Sequence, residues 1–160
     1  MSAFFAEYAR IIVFIHVLFA VTWVGGMVAI RLALHPSLPV IEDGKQRLEL
    51  SIATLNRFFL MVSTAIVFIG ITGIIMMLGI GFKSVPMLYM TVHIKSQIWM
   101  LMAIVYGIIY FKFTKAKKFF ESGDLEATKK TLAPLAKWLI PINIFLGLVE
   151  IMLGIVLRGY

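Results

Sequence analysis

The sequence has 160 residues, of which 61% are hydrophobic and only 14% charged, with a mean hydropathy of +0.99. A water-soluble domain carries about 25% charged residues, so an integral membrane protein is expected. The net charge of +7 does not indicate nucleic acid, because Lys112, Lys115, Lys117, Lys118, Lys129, Lys130 and Lys137 gather in one segment between apolar runs. The absence of cysteine excludes disulfides, thiolate ligands, thiol catalysis and covalently attached c-type haem.

The first span is expected at about residues 4–34, stopping at His35-Pro36. Its apolar run from Ile11 to Ile30 is long enough, at 1.5 Å per residue, to cross a hydrocarbon core of about 30 Å. The single ionisable side chain in that run is His16. His16, Ala20, Trp23 and Met27 share one helical face, and Gly25 and Gly26 beside it would admit a backbone or a flat ligand. An imidazole at this depth must face protein, a partner or a cofactor. It is therefore either a histidine bonded within the bundle or a metal ligand. No cleavable leader is expected, since a basic N-terminal region is missing and the first apolar run is long.

Pro36, Pro39, Asp43 and Gly44 read as loop. From Gln46 an amphipathic pattern is expected to run directly into a second span at about residues 54–80. Gly79, Gly81 and Pro86 mark a turn before a third span at about residues 87–111, which continues into the lysine-rich segment. Residues 121–124 break that helix, and Asp124 is a candidate N-cap for a short helix before Pro134. A fourth span follows at about residues 138–157, with Pro141 in its first turn. The expected fold is all-α: one domain, residues 1–160, forming a four-helix transmembrane bundle.

Positive residues orient it. Lys45, Arg47, Arg57 and the seven lysines above lie in the loops after spans one and three, which should face the cytoplasm. Both termini then face out, in an N-out/C-out arrangement across a bacterial inner membrane.

With that topology His16, His93, Lys95 and Glu150 all fall in the outer half of the bilayer, where ionisable groups indicate function. In the fourth span Asn143, Gly147, Glu150 and Gly154 form a stripe that must face protein. His93 and Lys95 are about 200° apart around their helix, so they cannot both point at one small site. An ion pair between Lys95 and Glu150 is the cheapest account of both, set against a proton or substrate role. His16 and His93 could supply the two axial ligands of a b-type haem. Gly25, Gly26, Gly70 and Gly73 would give it room, and Arg10, Lys83 and Arg158 would neutralise its propionates. A copper reading competes, because Met87, Met90 and His93 stand at i, i+3 and i+6 and soft thioethers suit Cu(I). In a third reading the chain is a cofactor-free structural subunit whose methionines are ordinary packing residues.

The stretch His16-Val17-Leu18-Phe19-Ala20-Val21-Thr22-Trp23-Val24-Gly25-Gly26 resembles the first-helix signature of the CopD/HemJ-like membrane proteins. Val92-His93-Ile94-Lys95 is similar to the His-x-Lys element of the HemJ type. The chain departs from that pattern at Arg31, where the family has a Pro-Arg pair, and after Tyr106, which no histidine follows. The resemblance implies haem b linked to His16 and His93, a functionally required Lys95, and either protoporphyrinogen oxidation or, for the CopD type, copper uptake. Expected partners are the lipid bilayer, porphyrin or haem, a quinone or other electron acceptor, and a second copy of the chain.

Overall fold

The structure is a computed structural model that describes residues 3–81 and 86–158; Lys83 lies outside them. Four helical stretches, Ala3–Val40, Gly44–Ile80, Pro86–Glu121 and Leu125–Arg158, are each long and apolar enough to cross a membrane. Helix α1 (Ala3–Ala29) passes through a π turn, Ile30–Leu34, into the short α2 (His35–Ser37) and a 3-10 turn, Leu38–Val40. Helix α3 spans Gly44–Ile80 and α4 spans Pro86–Glu121. Helix α5 (Leu125–Pro134) runs through a second π turn, Leu135–Leu139, into α6 (Ile140–Arg158).

Local chemistry sets the ends. The Asp43 carboxylate accepts the backbone N–H groups of Lys45 and Gln46 at 2.7 and 2.9 Å and so starts α3. Gly81 stops it in the left-handed region, at φ 72°. Proline at the first position of α4 removes a donor that no helix would use there. Gly123, at φ 83°, reverses the chain after α4, and Asp124 caps α5 by accepting the Ala127 N–H at 2.9 Å. Asp124 thus plays its expected part, whereas Asp43 is a cap where a solvated loop charge was expected.

The first and fourth spans are longer than the prolines led us to expect. Helix does not stop at His35-Pro36 but continues to Ser37, and the short helix before Pro134 is joined to the fourth span. In both places the residue immediately before a proline, His35 or Ile140, donates its N–H five residues back, to the Ile30 or Leu135 carbonyl. A proline ring clashes with the carbonyl four residues back, and one widened turn relieves that clash without ending the helix.

The spans pack antiparallel. Phe5 lies on Gly79 and Phe58 on Gly26 at opposite ends of the α1–α3 contact. Trp99 against Gly70, Tyr106 against Ser63 and Phe113 against Phe59 register α4 on α3. Lys95 against Glu150 and Met102 against Gly147 register α6 on α4. The core of Trp23, Met27, Phe59, Val62, Ile109, Phe113 and Leu135 is buried, while Phe14, Leu60, Phe111 and Phe145 point outward. Large apolar side chains on the outside are what a lipid-facing surface requires.

The bundle places Ala3 and Arg158 at one end and the Gly123 bend at the other. Reporter fusions at Ser122 and at the C-terminus should therefore report opposite sides, with Ser122 cytoplasmic as its lysines demand. A periplasmic signal at Ser122 would reverse the orientation.

Candidate functional site

Each of the four spans contributes one polar side chain to a single layer: His16 from α1, Thr72 from α3, Lys95 from α4 and Glu150 from α6. The Thr72 hydroxyl donates to the Phe68 carbonyl, as hydroxyls in apolar helices do. With its one proton committed there, Thr72 Oγ1 can only accept from His16 Nδ1, 2.8 Å away. The network therefore assigns the proton to Nδ1 and the lone pair to Nε2. The Ile69 carbonyl is a further acceptor beside the ring. His16 is half-buried, and Nε2 has no hydrogen-bond partner among the described residues.

Gly73 lies beside this imidazole, at ordinary contact distance. A Cβ there would stand 3.6 Å from His16 Cε1. Lys95 reaches across to α6, where Nζ donates to Glu150 Oε2 at 2.7 Å and to the Glu150 carbonyl at 2.6 Å. Gly154, one turn beyond Glu150, leaves space for the ammonium. The expected ion pair is thus formed. Glu150 Oε1 and Trp99 Nε1 are buried without a partner among the described residues.

Comparisons with family models, curated proteins and solved structures gave no match. The functional reading therefore rests on the side chains themselves.

Several residues singled out in the sequence do not join the layer. Because Lys95 faces Glu150, His93 turns to the exposed side of α4, edge-on to Tyr89 with ring centroids 4.3 Å apart. His16 and His93 are not brought to one slot between the helices. Met87 and Met90 share the exposed side with His93, at 72% and 65% exposure. The glycines expected to make a porphyrin slot are used for packing instead: Phe58 fills the space at Gly26 and Trp99 that at Gly70, while Gly25 faces outward. Trp23 is a core residue with an unpartnered indole N–H, and Arg10 and Arg158 are exposed. Among the described residues no group of three or more His, Asp or Glu side chains converges as a metal site.

Thr72 is the functional residue the sequence reading missed. A hydroxyl inside an apolar span can bond to its own helix, so nothing in the spacing marks it as the partner of a histidine on another span.

Proposed function

We propose that this chain is a haem b-binding redox protein of the bacterial inner membrane, holding the iron through Nε2 of His16. One observation carries the reading: Thr72 fixes the His16 tautomer so that Nε2 presents a lone pair. Ligating histidines are oriented in this way by a bond at their other nitrogen. His16 would hold the haem; His93, on the exposed side of α4, does not converge with it. When bound, haem would supply one-electron chemistry, for electron transfer or porphyrin oxidation with a quinone or similar acceptor.

The protein's own residues have definite parts in this reading. Thr72 and Gly73 hold the ring against α3. Lys95 and Glu150 form a neutral ion pair in the same layer, with the lysine held by the Glu150 carboxylate and carbonyl. The resemblance in the His16–Gly26 stretch points the same way, although the two axial histidines it implies are not paired.

Purified protein should show b-type bands in reduced-minus-oxidised spectra. His16→Ala should abolish them, Thr72→Val should weaken haem retention, and His93→Ala should leave the bands in place. Loss of the bands in His93→Ala with His16→Ala unaffected would overturn the assignment. The shared exposed face of Met87, Met90 and His93 supports copper as the second reading. Metal content measured on the same sample separates them: Cu(I) lost in Met87→Leu and Met90→Leu, with no haem in any preparation, would favour copper.

A further inference from the structure

At the opposite end of the bundle from the polar layer, α4 and α5 diverge around an open groove of about 780 Å³. Its membrane side is apolar, lined by Ile104, Ile108, Phe111 and Pro134. Its other side carries Lys112, Lys115 and Lys130, and no acidic residue lines it. Elsewhere in this lysine-rich region acidic partners are present. Lys117 pairs with Glu121 at 4.0 Å and Lys129 with Glu126 at 3.0 Å. The three groove lysines have no ion pair among the described residues; Lys115 only lies over the Phe119 ring, 5.7 Å from its centroid.

Their depth matters. About 20 helical residues cross the hydrocarbon, so counting from Met87 it ends near Tyr106; Ile104 lies inside it, Ile108 at its edge, and Phe111, Lys112 and Lys115 at headgroup level. Lysine stems lie along the apolar wall while their ammonium groups reach the interface.

We propose that this groove is a binding site for one anionic phospholipid of the leaflet at the Gly123 end. The phosphate sits among Lys112, Lys115 and Lys130, the glycerol passes Phe111, and the upper acyl chain lies on Ile104 and Ile108. Three unpaired positive charges directly above an apolar trough complement an anion that carries acyl chains. A protein partner would need no such split, and a second copy presents the same positive charge.

Gly107 provides a charge-neutral test. It lines the groove, and a Cβ there would meet nothing within 4 Å, so a side chain can be added at this position into the groove. The full chain in detergent micelles is titrated with phosphatidylglycerol or phosphatidylcholine, and retained lipid is counted by native mass spectrometry. Phosphatidylglycerol should be retained in preference. K112Q/K115Q/K130Q should lower that preference on the order of 100-fold, at roughly 1 kcal/mol per lysine. Gly107→Leu should lower lipid retention with all charges intact, and K117Q/K118Q/K129Q should leave the preference unchanged. Equal losses in the two triple variants, or undiminished binding in Gly107→Leu, would overturn the site. Displacement of the lipid by inorganic phosphate alone would make it a free-phosphate site. Occlusion of the groove by a second copy, seen as a crosslink between positions 107 of two chains that excludes lipid, would equally overturn it.

Discussion

Lys95→Met is expected to cost about 3–5 kcal/mol of bundle stability, as breaking a buried ion pair does. The side chains of Lys95 and Glu150 are 21% and 17% exposed, and what surrounds them in a bilayer is lipid and helix. Glu150 Oε1 already lacks a partner, so removing Lys95 leaves Oε2 stranded as well. Glu150→Leu alone strands the ammonium and should cost a comparable amount, reduced by the bond from Nζ to the Glu150 carbonyl, which survives. Lys95→Met combined with Glu150→Leu should recover most of the loss, because both desolvated charges leave together. Unfolding of detergent-solubilised protein measures all three. If the double variant is as unstable as the sum of the singles, the pair does not act as a unit. Recovered stability without haem retention would instead give Lys95 a part in binding.

The spans and the ion pair were legible because hydrocarbon leaves few alternatives. A run such as Ile11 to Ile30 has to cross, and Lys95 and Glu150 have to neutralise each other. The prolines misled for the same reason. In water Pro36 ends a helix, but inside or beside a bilayer the backbone has no competing solvent, so a π turn ahead of Pro36, as ahead of Pro141, absorbs the defect and the helix continues, while Pro134 is carried inside α5. Gly26 and Gly70 are places of close approach as expected, but Gly25 faces outward, and spacing cannot tell a ligand from Phe58 or Trp99. The choice between His93 and Lys95 as the inward residue was also open in the sequence. It was decided by Glu150, whose carboxylate recruits the lysine and turns the histidine outward.

Trp23→Ala is expected to cost about 3–5 kcal/mol, the range for emptying an aromatic site in a packed core. Trp23 is 2% exposed and meets Tyr106 edge-on, with ring centroids 6.3 Å apart. Tyr106 cannot move to fill the space, because its hydroxyl donates to the Phe59 carbonyl and is bonded to Ser63, each at 2.8 Å. Phe59 in turn stands edge-on to both Tyr106 and Phe113, so the cavity would persist. Trp23→Phe separates the two properties of the indole. Its N–H has no partner among the described residues, so a phenyl ring loses volume but no hydrogen bond, and the cost should fall to about 1–2 kcal/mol. Unfolding of the two variants side by side tests this. If Trp23→Phe costs as much as Trp23→Ala, the N–H is bonded after all. If Trp23→Phe keeps its stability but loses haem, that N–H points at the ligand, and the buried core face of α1 becomes part of the binding site.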